Sequence, residues 1–223
     1  MARNYAHLVA ERLGLDLTDI TYSGATTANV LYEPQHGTLP QIRALDGTET
    51  LVTVTIGGND VGYVPMLMAA GLPRVVRWWP PVSGLFDPTA RDRALVEVGE
   101  SLHRVARSVR ARAPRARVLF VDYLTLLPPP GEPVAPLSGA DAALGRRIAD
   151  TLERLTGRAA ADTGCGWVRA AQASRAHHAW SSQPWTSGPG LPWPGRPAPL
   201  HPNAAGMRAV ADLIVDTVES GDD

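Results

Sequence analysis

The sequence predicts an α/β fold, a three-layer α/β/α sandwich with a mainly parallel sheet at its centre. Two runs rich in β-branched and apolar residues, 51–56 and 117–123, have the composition of buried strands. The segment 89–112 between them has apolar residues at helical spacing, and Pro114 follows it as a stop signal. Strands separated by long helices form parallel sheets covered on both faces, with the working residues in loops beyond the strand carboxyl ends.

The same patterns assign the remaining elements in chain order. Helices are predicted over 4–13, 89–112, 138–162 and 203–218, and strands over 19–23, 51–56, 117–123 and 166–170. A loop rich in Pro, Gly and Trp occupies 181–200, and its composition is typical of a functional or capping loop rather than a domain linker. We therefore expect a single domain over residues 1–223.

The composition is that of a globular protein with a sizeable core, with 44% apolar residues, 19% charged residues and a formal net charge of −1. Because the formal net charge is only −1, the sequence argues against nucleic-acid binding. It contains neither the run of roughly 18 apolar residues that predicts a membrane span nor a signal-peptide pattern at its start. Cys165 is the sole cysteine, so no intrachain disulfide is expected, which favours the cytoplasm.

The first motif that could carry chemistry is Gly57-Gly58-Asn59-Asp60, which directly follows the strongest predicted strand. Two glycines permit a tight turn, from which the Asn59 amide could project beyond the sheet edge. A fixed amide N–H aimed at a developing oxyanion can stabilise a transition state by about 3–4 kcal/mol. The alternative is a plain turn in which the Asn59 side chain bonds to its own backbone.

Two further motifs flank this one along the chain. Gly24 follows the predicted strand 19–23, where a glycine lets a backbone N–H approach a ligand; a simple strand-to-loop glycine is the alternative. His201 and Pro202 precede Asn203, which is a favoured N-cap for the last predicted helix. An imidazole can serve as a general base, although a histidine at a helix start is often only a surface residue.

In this order, the three motifs resemble those of the SGNH (GDSL-type) hydrolase superfamily, and more narrowly its actinobacterial lipase- and esterase-like branch. The resemblance runs from about Asn4 to the C-terminus. It implies a flavodoxin-like fold and a serine ester hydrolase that uses no metal and no cofactor. The implied substrate is a small-molecule ester or a lipid.

The resemblance also assigns roles to residues of this sequence. It implies that the N–H of Gly24 and the side chain of Asn59 form an oxyanion hole and that His201 is the catalytic general base. Asp60 is expected to order the turn. The supporting residues are Gly57, Gly58 and Asp60.

The sequence departs from the family pattern in two places. Gly-Asp-Ser, which carries the nucleophilic serine in the family, occurs nowhere in the 223 residues, so the nucleophile is unknown and the first strand of the sheet is missing. We expect the chain to be truncated at its N-terminus and the 223 residues to have little or no esterase activity; a longer N-terminus would leave secretion open. Ala198 stands where the family has its triad aspartate, and we expect a backbone carbonyl of 196–199 to orient His201 instead.

A rival interpretation is a non-catalytic module of the same fold that binds a lipid, a glycan or another partner, and the missing serine favours it. The tryptophans leave a second question open, because they could form the walls of an acyl or aryl pocket near His201 or cap the edge of the sheet. These residues are Trp78, Trp79, Trp180, Trp185 and Trp193.

Overall fold

A computed structural model describes residues 3–190 and 198–221 of the chain. Within these ranges the sheet has three parallel strands in the order β1-β2-β3. The strands are β1 (Leu51–Val54), β2 (Arg117–Val121) and β3 (Gly166–Val168). Leu51 lies opposite Arg117, and Leu119 lies opposite Gly166. The predicted parallel sheet is confirmed.

Helices connect the strands and cover the sheet. They are α1 (Tyr5–Leu13), α2 (Thr27–Leu31), α3 (Tyr63–Ala70), α4 (Arg74–Arg77), α5 (Pro80–Ser83), α6 (Pro88–Arg112), α7 (Gly139–Thr163), α8 (Ala170–Ala173) and α9 (Ala204–Ser220). The four predicted helices correspond to α1, α6, α7 and α9, and their bounds agree to within two residues. None of the helices in the described ranges has both the length and the apolar character that crossing a bilayer requires.

The middle strand, β2, separates two hydrophobic cores. Val118 and Phe120 are buried in a core with residues of α6 and α7, whereas Leu119 and Val121 pack with residues of α1 and α9. This alternation follows from the two-residue period of a strand. Burying a side chain of this size stabilises the fold by about 1.5–3 kcal/mol. Helices therefore cover both faces of the sheet, and the three-layer prediction is confirmed.

The prediction of a strand over 19–23 is wrong. Residues 19–22 have no regular secondary structure, and in the described ranges β1 pairs with β2 alone. A strand needs a neighbour to pair its backbone N–H and C=O groups, and a β-rich composition cannot replace that neighbour. Side chains hold the segment instead, because the Asp19 carboxylate accepts from the Thr21 backbone N–H at 3.0 Å and from Asn4 Nδ2 at 2.7 Å.

Asp122, directly after β2, ties this strand to the segment around β3. Its carboxylate accepts from the backbone N–H of Ala171 at 2.7 Å and from Trp167 Nε1 at 3.0 Å. Burial raises the pKa of Asp122 to about 6, against the lowering effect of these two N–H donors. The folded protein therefore holds a proton on Asp122 more tightly than the unfolded chain does.

We expect Asp122→Asn to change the pH dependence of unfolding in a defined direction. A raised pKa gives stabilisation that is present below the unfolded value of 3.8 and is lost as pH rises through about 6. The wild-type free energy of unfolding minus that of the variant should therefore fall by roughly 2.5 kcal/mol between about pH 4 and pH 7. Urea titrations at a series of pH values measure this difference.

Asp46→Asn is a control of opposite sign. Hydrogen bonds from the hydroxyl and backbone N–H of Thr48 lower the pKa of Asp46, so its stabilisation is lost as pH falls. The wild-type minus variant difference should then rise with pH. A difference for Asp122→Asn that stays flat, or that rises with pH, would contradict the protonation that we assign to Asp122.

Candidate active site

The two glycines of the turn after β1 are required for different reasons. Gly57 has a φ of 107°, and a Cβ on it would lie 3.1 Å from Val98 Cγ2 of α6. A Cβ on Gly58 would lie 2.8 Å from the ring of Tyr123, and the Gly58 N–H donates to the Tyr123 hydroxyl at 2.9 Å. The turn is therefore held between α6 and the segment that follows β2.

The side chain of Asn59 links this turn to the Gly24 loop. Its Nδ2 atom donates to the backbone carbonyl oxygen of Ala25 at 2.9 Å. This bond crosses to another loop, so it is not the bond that the plain-turn alternative requires. A primary amide has two N–H donors, and the bond to Ala25 occupies one of them.

Gly24 lies in the loop before α2 with a φ of 79°, a conformation that other residues rarely adopt. The residues that follow Gly24 hold this loop in place. Ala25 is buried, and the Asp60 carboxylate accepts from the backbone N–H of Thr27 at 3.1 Å and from the Thr27 hydroxyl. The Asp60 side chain thus fixes the start of α2, and its expected role in ordering its own turn stays a prediction. Asn59 and Asp60 together bring the Gly24 loop and the glycine turn into direct contact.

His201 is half-buried in the loop that leads into α9, and its Nδ1 atom lies 2.9 Å from the carbonyl oxygen of Pro199. A carbonyl oxygen can only accept, so we assign the proton of the neutral ring to Nδ1 and the free lone pair to Nε2. The carbonyl expected within 196–199 is therefore that of Pro199. The predicted loop 181–200 lies partly outside the described residues, which omit 191–197.

A tight turn sets the direction of the His201 ring. The His201 N–H donates to the Ala198 carbonyl at 3.3 Å, and Pro199 occupies the second position of the turn, where proline is favoured. Leu200 at the third position has a φ of 59°, a left-handed conformation that costs about 1–2 kcal/mol in a residue with a Cβ. Leu200 is 2% exposed, and the burial of its side chain offsets that cost.

Asn203 fixes the start of α9 and ties it to the preceding loop. Its Oδ1 atom accepts from the backbone N–H groups of Ala205 and Gly206 at 2.9 and 3.0 Å, and its Nδ2 atom donates to the Pro184 carbonyl at 2.7 Å. An amide meets both demands, whereas a serine or an aspartate has no N–H to donate. Gly206 allows the loop to approach, because a Cβ there would lie 2.1 Å from the Trp185 carbonyl oxygen.

A shared core joins the three motifs. Ala25, Ile56 and Leu200 are buried in the same hydrophobic cluster, and each is the immediate neighbour of one motif. The first two motifs are also joined by the hydrogen bonds described above. The histidine turn is connected to them through this core.

Three positioning residues carry no role in the sequence-based prediction. The Tyr123 hydroxyl accepts from the glycine turn, and the Thr27 N–H donates to the Asp60 carboxylate. Ser187 donates from its backbone N–H to the His201 carbonyl at 2.8 Å. Tyr123 is the last residue of the predicted strand 117–123, so its position at a strand carboxyl end was a usable signal. Thr27 and Ser187 have no such local signal, because their partners are distant in the sequence.

A cleft of about 740 Å³ lies between residues 123–130 and α7. Its volume is in the range of small-molecule pockets. Among its described lining residues, Tyr123 is bonded to the glycine turn, but Gly24, Asn59 and His201 are not part of its wall. Size alone is therefore a weaker guide to the reactive site than the chemistry of the three motifs, and we place the candidate site at the motifs.

The tryptophans do not act as one group. Trp78 and Trp79 are 83% and 65% exposed, so neither is packed as a cap on the edge of the sheet, and a pocket-wall role stays a prediction for them. Trp180 and Trp185 are half-buried and pack against the hydrophobic cores. Trp193 lies outside the described residues.

Comparison with known protein families and sequences gives matches to lipases. The model of the GDSL-like Lipase/Acylhydrolase family matches residues 1–209. Lipase 2 from Streptomyces coelicolor is 31% identical over 222 residues, which cover 96% of this chain and 75% of that protein. A lipase from Streptomyces rimosus is 28% identical over 144 residues, which cover 64% of this chain and 48% of that protein.

Solved structures share the fold. Phospholipase A1 from Streptomyces albidoflavus has a TM-score of 0.77 and 25% identity, over 96% of this chain and 85% of its own. An extracellular lipase from Streptomyces rimosus has a TM-score of 0.78 and 23% identity, over 96% of this chain and 86% of its own. At the latter identity the likeness is one of fold alone.

We expect Gly206→Ala to destabilise the protein by about 3 kcal/mol or more, because the added Cβ would collide with the backbone carbonyl of Trp185. The matched control is Gly139→Ala at the start of α7, where a Cβ would meet nothing within 4 Å. That change should be neutral or slightly stabilising. Urea unfolding of both variants tests this packing, and equal stability of the two would contradict it.

Proposed function

Since the chain belongs to the GDSL-like lipase/acylhydrolase family, we propose that it is the scaffold of a serine ester hydrolase whose reactive centre is formed by Gly24, Asn59 and His201. One observation carries this proposal: the hydrogen bond of 2.9 Å from Asn59 Nδ2 to the Ala25 carbonyl. It sets the amide of Asn59 beside the carbonyl of Ala25, the residue that follows Gly24. In this proposal, the Gly24 N–H and the second N–H of Asn59 bind one oxygen atom.

In the proposed mechanism these donors bind the oxygen of the tetrahedral intermediate. Asn59 contributes the amide N–H that the bond to Ala25 leaves free, and Gly24 contributes its backbone N–H. Both groups are held before the reaction begins, by the buried Ala25 and by the bonds of Asp60 to Thr27. Preorganised donors of this kind stabilise the transition state because they do not have to reorient as charge develops.

His201 is proposed to move the protons. Its Nε2 atom takes the proton of the serine hydroxyl as the serine oxygen bonds to the ester carbonyl carbon, and then gives that proton to the departing alcohol. In the second half, Nε2 takes a proton from the water that attacks the acyl carbon, and it returns this proton to the serine oxygen as the carboxylic acid departs. The carbonyl of Pro199, 2.9 Å from Nδ1, keeps the ring in the required tautomer.

The serine itself is proposed to lie on a strand beside the free edge of β1. In the described residues β1 is paired on one side, and all four of its residues are only half-buried. A strand there would pair the exposed backbone groups and end next to the Gly57 turn, since parallel strands present their carboxyl ends at the same edge. Because the 223 residues contain no Gly-Asp-Ser, we propose that they do not hydrolyse esters unaided.

Substrate and compartment follow from different evidence. The names of the relatives, a lipase and a phospholipase A1, favour lipid esters within the class of carboxylic esters. The cytoplasmic assignment remains a prediction from the lone Cys165, and secretion remains the alternative. The missing serine motif keeps one rival function, a non-catalytic module that binds a lipid, a glycan or another partner.

Hydrolysis of short p-nitrophenyl esters distinguishes the two functions. We expect the 223-residue chain to be inactive and a version extended upstream in the same reading frame to be active, because the extension would supply the serine. Inactivity of both forms would favour the binding module. Turnover by the 223-residue chain that survives His201→Ala would show that the site is assigned wrongly.

Single substitutions in the extended protein test the individual roles. We expect His201→Ala to lower kcat by at least about a thousandfold, through loss of the proton carrier, and Asn59→Ala by about a hundredfold, through loss of an oxyanion donor. The control is His103→Ala, because His103 pairs with Asp162 at 3.0 Å on the surface between α6 and α7. An active His201→Ala variant would exclude the proposed mechanism.

A further inference from the structure

Four apolar residues on the segment between α3 and α6 are exposed together. Val75 is 80% exposed, Val76 39%, Trp78 83% and Trp79 65%. We call these four residues the tryptophan patch. Large apolar side chains grouped on a surface mark interaction sites, whereas single exposed apolar residues are ordinary.

The segment that carries the patch is attached to the rest of the protein through Arg77. Arg77, in the middle of its sequence, forms an ion pair of 2.8 Å with Asp141 at the start of α7, and both side chains are largely buried. The guanidinium also lies 4.1 Å from the centre of the Phe86 ring. Arg77 is largely buried, whereas its neighbours on either side, Val76 and Trp78, are exposed. The exposure of the patch is therefore a property of the folded segment.

The segment that carries the patch has no acidic residue of its own, and its Arg77 is paired with Asp141 of α7. From Val61 to Phe86 the sequence contains Arg74 and Arg77 and no aspartate or glutamate, although the whole chain has 22 acidic residues. An anionic surface would approach this segment without meeting a carboxylate of the segment itself. Paired tryptophans in a segment without acidic residues are typical of side chains that lie at the boundary between lipid headgroups and acyl chains.

We propose that the tryptophan patch docks the protein on a phospholipid surface, with both indoles at headgroup level and Val75 and Val76 against the acyl chains. This inference goes beyond ester hydrolysis and does not depend on it, since adsorption needs no catalytic group. The helix α3 connects the Asn59 turn to the patch along the chain.

Sedimentation with phospholipid vesicles tests the proposal. We expect the 223-residue chain to bind vesicles of phosphatidylcholine mixed with phosphatidylglycerol, and the double variant Trp78→Ser, Trp79→Ser to bind at least about tenfold more weakly, because it loses the two largest apolar groups. The control is Tyr32→Ser, since Tyr32 is 62% exposed outside the patch. Its binding should match that of the wild type.

A second pair of variants tests the role of charge. Val75→Asp places a carboxylate in the patch, and Val96→Asp places one on α6, at a residue 68% exposed. We expect Val75→Asp to weaken binding to vesicles that contain phosphatidylglycerol, with an affinity about ten times lower than that of Val96→Asp. The new carboxylate would repel the anionic lipid, and the apolar contact of Val75 would be lost. Circular dichroism checks that each variant is folded.

Two results would overturn the proposal. One is wild-type protein that does not sediment with the vesicles of phosphatidylcholine and phosphatidylglycerol. The other is self-association that the double tryptophan variant abolishes while vesicle binding is unchanged, because the patch would then be an interface between protein chains. Both readouts are independent of ester hydrolysis, so they separate this proposal from the proposed function.

Discussion

The hydrogen bond from Asn59 to the Ala25 carbonyl is the contact on which the candidate site depends. It joins loops whose residues are 34 positions apart, and the neighbouring bond from Thr27 to Asp60 strengthens the same connection. Without it, the Gly24 loop would be attached to the glycine turn through the bonds of Thr27 to Asp60 and the apolar contact of Ala25. This bond occupies one N–H of the Asn59 amide and thereby fixes the orientation of the second N–H of the same amide. The same side chain can thus be part of the structure and part of the chemistry.

The histidine is held by a different means. A buried Leu200 in a left-handed conformation, the Pro199 carbonyl and the Asn203 cap fix the backbone on both sides of His201. A backbone carbonyl orients the ring here in place of a carboxylate. A carbonyl dipole stabilises an imidazolium less than a full negative charge does. The orientation of the His201 ring therefore depends more on the rigidity of the turn. Strain at Leu200 is consistent with that arrangement.

The periodic elements could be predicted from sequence, and contacts between distant segments could not. Apolar spacing located α6 and α7, and the Gly57-Gly58 pair marked the turn after β1. Residues 19–23 have the composition of a strand but lack a neighbour, and composition holds no information about pairing. The Pro199 carbonyl was foreseen only as one of several in its loop. Trp78 was expected near the site or the sheet edge, and its exposure depends on how Arg77 pairs with a distant helix.

The most direct measurement is a crystal structure of the upstream-extended protein after reaction with a fluorophosphonate, which mimics the tetrahedral intermediate on a serine. We expect the phosphonyl oxygen to lie about 2.7–3.1 Å from both Gly24 N and Asn59 Nδ2, with His201 Nε2 facing the modified serine oxygen. A phosphonyl oxygen bonded elsewhere, or an imidazole on the order of 10 Å away, would contradict the proposed convergence of the three groups.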